Sequence, residues 1–260
     1  MLIFIVLLII IFVVWMCTIK ARFVYTDSDA GYEVFTCLNE FEINHALELI
    51  ELKKYKQLQL LIQNNPNVLR EINNILGPDY VFQDYLLSIE KSAISTCHRD
   101  ENGQLLNGQD HPAYTVLFYL EPMEVCLDVI RGSHKSKHLI NVSRPLEGVK
   151  CKPGQAILFN ADLIHSGSID TTHKDNKRLQ MKLIHKDDIG KISQFDDYHK
   201  VADASKSASN WYTKFMRDVT CTFPGFADIT KNGENVPTFV KTIYKYLVYG
   251  GGDKYKLHDV

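Results

Sequence analysis

Hydrophobic and polar positions divide the chain into four stretches of different periodicity. Met1 to Ile19 is apolar at every position except Thr18 and holds no charge, glycine or proline. The eighteen residues from Leu2 to Ile19, at about 1.5 Å each, would make a helix of about 27 Å, close to the roughly 30 Å of a bilayer's hydrocarbon core. The run predicts one N-terminal transmembrane helix, with Trp15 near an interface. Further on, Asn39 followed by Glu42 has the spacing of a capping box. Phe41, Ala46, Leu47, Ile50, Tyr55, Leu58 and Leu61 then recur at helical spacings, predicting a helix to about Gln63, where Asn64-Asn65-Pro66 breaks it. Val68, Leu69, Ile72 and Ile75 mark a shorter helix stopped by Gly77-Pro78.

From about residue 80 the pattern changes to short apolar runs rich in Val, Ile, Tyr and Phe between Gly, Pro, Asn and Asp clusters. Strands are predicted near Tyr80 to Ile94, Tyr114 to Leu120, Val125 to Ile130, Ile157 to Asn160 and Arg178 to His185. A series of short strands without helices between them argues for an antiparallel sandwich or barrel, a mainly β fold with flanking α-helices. Helical spacing returns at Trp211, Phe215 and Met216, and again from Val236 to Leu247, on elements expected to pack outside the strands.

Composition changes little in this picture. With 45% hydrophobic and 23% charged residues among 260, the chain is that of an ordinary folded protein. Its net charge of −2, without a clustered basic face, offers no case for nucleic acid. Residues 1–22 are therefore read as a membrane anchor and 23–260 as one folded unit. A cleaved secretory signal is the other reading of the apolar run, but no basic residue precedes it and Cys17-Thr18-Ile19-Lys20 suits cleavage poorly. Lys20 and Arg22 directly follow the run, so the positive-inside bias places the large domain in the cytosol, as a single-pass membrane protein bound through residues 2–19. The scattered cysteines contain no Cys-x-x-Cys pair and imply neither a zinc knuckle nor a dense disulfide scaffold. Unpaired thiols would suit the cytosol. The single sequon, Asn141-Val142-Ser143, is too common a pattern to move the domain to a lumen.

The sharpest chemical feature is Cys97-His98-Arg99-Asp100, where an apolar strand gives way to a polar loop. In extended backbone, residues two apart point the same way, so the imidazole of His98 and the carboxylate of Asp100 can reach one point. A facial triad for non-haem Fe(II) needs one more histidine and leaves three coordination positions open. The same tripeptide opens the protein-kinase catalytic loop, but Leu105 stands where that loop has its asparagine, and no Gly-rich phosphate loop or Asp-Phe-Gly accompanies it. His134 reads as a loop-packing residue. His111, His138, His173 and His185 are read as having no acidic partner at metal spacing.

Three segments downstream complete a pattern: Cys126 to Lys135 around Arg131-Gly132-Ser133-His134, Lys152 to Phe159 around Pro153-Gly154, and Leu163-Ile164-His165-Ser166-Gly167. With His98-Arg99-Asp100 ahead and Arg178 behind, they resemble, in that order, the phytanoyl-CoA dioxygenase family of Fe(II)/2-oxoglutarate oxygenases over roughly residues 79–190. The resemblance implies a double-stranded β-helix core, jelly-roll and cupin-like, in which His98, Asp100 and His165 hold Fe(II) and Arg178 pairs with the far carboxylate of 2-oxoglutarate. It further implies O2 as co-substrate, release of succinate and CO2, and hydroxylation of a small-molecule or lipid substrate. Arg131 stands where the family usually has proline, which bears on the shape of that turn and touches no ligand. Thr115 is carried as a second 2-oxoglutarate contact; Tyr119, Gln83 and Tyr85 offer comparable groups.

The residues support the Arg178 assignment independently. In Arg178-Leu179-Gln180-Met181-Lys182-Leu183, alternation puts Arg178 and Gln180 on one face and the apolar residues on the other. A guanidinium can grip a carboxylate through two parallel bonds. If the loop at Thr172 to Asn176 displaced it, Lys177 or Lys182 would be the substitutes, as point charges. Two other classes remain at this level: a membrane-tethered metal- or ligand-binding module without turnover, and a metal-dependent hydrolase, for which no spare general base is evident.

Overall fold

A computed structural model describes residues 4–11, 28–91, 96–100, 109–135, 146–168, 175–191, 197–204, 211–223, 242 and 255–259. Alternation of inward and outward side chains builds two sheets. The larger, eight-stranded sheet contains β1 (Tyr32–Thr36), β2 (Tyr80–Phe82), β3 (Tyr85–Lys91), β4 (Tyr114–Tyr119), β7 (Gln155–Asn160), β9 (Asp175–His185), β10 (Tyr198–Ala204) and β11 (Tyr255–Asp259). Its order is β1-β7-β4-β9-β3-β10-β11, with β2 also on β9. The smaller sheet is β6-β5-β8, from Glu147–Val149, Leu127–Val129 and His165–Gly167. His98 extends it by an antiparallel bridge to His165.

Followed along the chain, β3 lies in the large sheet, His98 in the small, β4 in the large, β5 and β6 in the small, β7 in the large, β8 in the small and β9 in the large. This repeated crossing between two facing sheets, whose strands from β3 to β9 pair antiparallel, is the winding of a jelly roll. All six residues of β4 are buried, because both of its faces are covered. Val116 and Phe118 join Leu158, Leu179, Met181 and Leu183 beneath the helices, while Leu117 and Tyr119 join Leu127, Val129, Ile157 and Phe159 between the sheets.

The helical layer consists of α2 (Glu40–Glu51), α3 (Tyr55–Gln63) and α4 (Pro66–Leu76). The capping box forms as its spacing predicts: Asn39 accepts from the Glu42 N–H at 3.0 Å and donates its own N–H to the Glu42 carboxylate at 2.8 Å. The single helix expected to reach Gln63 is instead two. Lys53 takes φ +55°, and the N–H groups of Lys54 and Lys53 return to the carbonyls of Leu49 and Ile50. That is a Schellman ending with lysine where glycine is the usual residue, so no sequence signal announced it. Ala46, Ile50, Leu58, Ile62, Val68 and Ile72 bury the helical faces against the large sheet.

The N-terminal expectation needs correction. Residues 4–11 are helical (α1), and among the described residues no helix is long and apolar enough to cross a membrane. An apolar run reports a preference for leaving water, whereas a span also needs about twenty residues in one continuous helix. The rest of the run, with Lys20 and Arg22, lies outside the described residues. The single transmembrane helix, the membrane as partner through residues 2–19, and the single-pass, cytosolic placement are therefore withdrawn.

Helix α5 (Trp211–Thr222) packs beside the small sheet. Cys97 and Cys221 form a disulfide, the Cys97 N–H donates to Thr220 at 3.0 Å, and Arg217 pairs with Asp128 of β5. The reading of the thiols as unpaired is thus corrected at Cys97 and Cys221, while Cys37, Cys126 and Cys151 are not joined in disulfides. The helix predicted from Val236 to Leu247, the sequon, His138 and His173 lie outside the described residues, apart from Thr242.

Candidate metal centre

His98 and His165 face each other because their strands pair: each backbone N–H donates to the other's carbonyl at 2.9 Å. The Asp100 N–H donates to the Ala161 carbonyl at 2.9 Å, which returns the chain toward the same point. Asp100 Oδ1 lies 3.5 Å from His98 Nε2 and 3.4 Å from His165 Nε2. The imidazole centroids are 4.5 Å apart and tilted by 53°. All three residues are buried.

The hydrogen bonds on the far side of each ring decide what these atoms offer. His98 Nδ1 lies 2.8 Å from the Thr96 carbonyl and His165 Nδ1 lies 2.9 Å from the Leu163 carbonyl. A carbonyl oxygen can only accept, so each Nδ1 carries a proton and, in the neutral ring, each Nε2 presents its lone pair. Metal-binding histidines are commonly oriented in this way. On an octahedral face with bonds of about 2.1 Å, neighbouring donor atoms stand about 3 Å apart. The two separations from Asp100 Oδ1 exceed this by only a few tenths of an ångström, and all three donor atoms lie within 4.8 Å of one another, so two imidazoles and a carboxylate suit a divalent ion of the iron type.

Asp100 Oδ2 points away from the histidines. It accepts from Thr115 at 2.7 Å, Lys182 at 2.9 Å and Gln180 at 3.3 Å, and Lys182 also donates to Thr115 at 3.0 Å. Burial works to raise the Asp100 carboxyl, but Lys182 and then His165 outweigh it and hold it well below the usual carboxylate range. A carboxylate is thus present at neutral pH, with Oδ1 toward the histidines and Oδ2 occupied.

Register explains why these groups meet. Lys182 lies opposite Thr115, Gln180 opposite Leu117 and Arg178 opposite Tyr119. Arg178, Gln180 and Lys182 therefore share the face of β9 that looks between the sheets. Arg178 is buried, one inward position beyond Gln180, with Nη1 donating to the Asn176 side chain at 2.7 Å. Thr115 sits at the carboxylate itself. The Tyr119 hydroxyl donates to the Cys126 carbonyl at 2.9 Å, and Tyr85 stacks on Tyr198, its ring 5.8 Å from the Lys182 nitrogen. Lys177 pairs with Glu121 rather than entering this space. Phe159 packs its ring 4.6 Å from that of His165, an apolar wall against the ligand. His134 is fully buried, where Gly31, at φ +81°, leaves room for its ring.

The sequence offers Lys182 only as a substitute for Arg178, whereas the structure puts its ammonium on Asp100. The same alternation that turns Arg178 inward would have placed it. A second omission lies at the end of β9. His185-Lys186-Asp187 repeats the His-x-Asp spacing, and His111 lies against it, giving a second group within reach of one ion. Contrary to the sequence expectation, both histidines have acidic neighbours: His111 Nδ1 is 3.2 Å from Asp188 and His185 Nδ1 is 3.5 Å from Asp187.

No protein-family model and no curated protein matches the chain. Among solved structures it is similar to HygX from Streptomyces hygroscopicus with nickel and 2-oxoglutarate bound, at 16% identity, over 60% of this chain and 82% of HygX, with a TM-score of 0.48. It is also similar to AviO1 from Streptomyces viridochromogenes Tue57, at 13% identity over 60% and 90% of the chains, with a TM-score of 0.48. A third is the non-heme alpha ketoglutarate dependent epimerase SnoN from nogalamycin biosynthesis, at 15% identity over 60% and 78%, with a TM-score of 0.47. Likeness at this level leaves the chemistry to the side chains.

Proposed function

We propose that residues 23–260 form an Fe(II)- and 2-oxoglutarate-dependent oxygenase that oxidises a small-molecule or lipid substrate. The observation that carries this reading is the convergence of His98 Nε2, His165 Nε2 and Asp100 Oδ1, with each Nδ1 held by a carbonyl. His98, Asp100 and His165 would hold a divalent ion through two imidazoles and one carboxylate, a donor set suited to Fe(II). An Fe(II) ion held there together with 2-oxoglutarate would supply oxidative decarboxylation, with one oxygen atom of O2 going to succinate, the other to the substrate, and CO2 released.

The chain's own residues bind, orient and exclude water. His98, Asp100 and His165 are the metal ligands, and Thr115 and Gln180 keep Asp100 Oδ2 turned away. Arg178 anchors the far carboxylate of 2-oxoglutarate, exchanging its bond to Asn176 for a charged one. Leu117, Ile157 and Phe159 line the space between the sheets with apolar surface, which strengthens charged contacts made there. Purified full-length protein with Fe(II), ascorbate and 2-oxoglutarate is expected to form succinate, and His165→Ala to reduce that rate to background. Undiminished succinate from the variant would remove His165 from the site.

A further inference from the structure

The metal centre described above holds a buried cation as well as its donor atoms. The Lys182 ammonium, on a side chain only 2% exposed, lies 2.9 Å from Asp100 Oδ2. Both imidazoles are arranged to ligate as neutral rings, so the Asp100 carboxylate is the only negative charge that the three ligands contribute. A carboxylate withdrawn from water is costly unless a counter-charge accompanies it. Lys182 provides one from the side opposite the ligating oxygen. A divalent ion on Oδ1 would provide another, and the ammonium would then lie within a few ångströms of a like charge, in surroundings that screen it poorly.

Resting on the metal-site reading, we propose that Lys182 is an internal counter-ion that stands in for the metal: it stabilises the metal-free fold and, by the same free energy, weakens divalent-ion binding. The reciprocity is required by linkage, because one group cannot stabilise the empty state against the filled one without lowering affinity. Orientation of Asp100 does not depend on Lys182 alone, since Thr115 at 2.7 Å and Gln180 at 3.3 Å hold Oδ2 as well. A neutral side chain at 182 should therefore leave the carboxylate in place and remove only the competing charge. Without the ion the fold becomes fragile, and with the ion the site binds it more tightly. Lys182 is thus a positioning and charge-setting residue, acting through Asp100.

The test compares thermal melts and Co(II) titrations of the unsubstituted protein and Lys182→Met, each stripped with chelator. Metal-free Lys182→Met should melt lower by about 10 °C. Saturating Co(II) should close most of that gap, and its Kd for Co(II) should fall about tenfold. Equal or weaker Co(II) binding by the variant, with the gap unchanged, would overturn the proposal and leave Lys182 a packing and orienting residue. If Lys182→Met does not fold without metal, the double variant Lys182→Met/Asp100→Asn decides. Recovery of a cooperative metal-free melt supports the unpaired charge as the cause, and no recovery overturns it. Absence of any Co(II)-dependent shift in the unsubstituted protein would instead defeat the metal-site reading, and this inference with it.

Discussion

Two of the chain's three His-x-Asp tripeptides, the two that lie wholly among the described residues, have the same spacing and opposite fates. In His98-Arg99-Asp100 the rings of His98 and its partner His165 are tilted by 53°, each Nδ1 is held by a carbonyl, and the carboxylate is 5% exposed. In His185-Lys186-Asp187 the ring of His185 lies nearly parallel to that of His111, at 17° with centroids 3.6 Å apart, and the Asp187 side chain is 73% exposed. A nitrogen lone pair lies in the plane of its ring, so stacked rings cannot both aim at one ion. His185 Nδ1 also accepts from the Asp187 N–H at 3.3 Å, capping the turn at Lys186–Asp188. Spacing permits a metal pair. The orientation of the second histidine and the fate of each Nδ1 decide whether one exists.

The largest expected effect separates the two sites outright. Asp100→Ala should abolish Co(II) binding and succinate formation, whereas Asp187→Ala should leave both as they are; loss of Co(II) binding in the second variant would break the comparison. Next, Arg178→Leu should raise the KM for 2-oxoglutarate at least about tenfold, since it removes a charged, two-pronged contact. Co(II) affinity should not change, which separates the anchor from the ligands, and an unaltered KM would count against Arg178.

A smaller effect concerns stability at the second cluster. Burial pushes the Asp188 carboxyl up, but Lys191, the N–H groups of Asp110 and His111, and the His111 ring outweigh it and leave it below its ordinary value. A carboxyl lowered in the folded state contributes stability that is complete above the unfolded value of about 3.9 and drains away as pH falls through the folded one. Asp188→Asn should cost about 1–3 kcal/mol at pH 7, and urea melts at pH 3 should show a narrower difference. A difference that is the same at both pH values would assign the loss to shape instead of charge. Smallest of all, Asp187→Asn should shift stability by no more than about 0.5 kcal/mol, a result that a thermal melt checks directly.

Much of the candidate site was legible because its parts are local. His98 and Asp100 lie two apart on extended backbone, and Arg178 alternates with buried Leu179 and Met181 on β9. The cap at Asn39 was equally plain, since its bonds join residues three apart. Short strands such as β6 and β8, of three residues each, were not found, because so few positions carry no period. β10 runs parallel to β3, a pairing that neither segment signals alone. At the N-terminus, apolarity was clear and was read as a length of helix, a quantity that composition does not contain.

By itself, the order of residues determined which side chains share a face, where helices start, and that the side chains of His98 and Asp100, two apart on extended backbone, can reach one point. These follow from local stereochemistry, which acts over a few residues. Only the tertiary structure decided that His165 meets His98 across a backbone bridge, that Lys182 rather than solvent balances Asp100, that Cys97 is bonded to Cys221, and that His111 closes over His185. Each of these contacts joins distant parts of the chain through sheet register and packing. Moving a strand by one residue would turn its side chains to the other face and dissolve the site without changing a single motif.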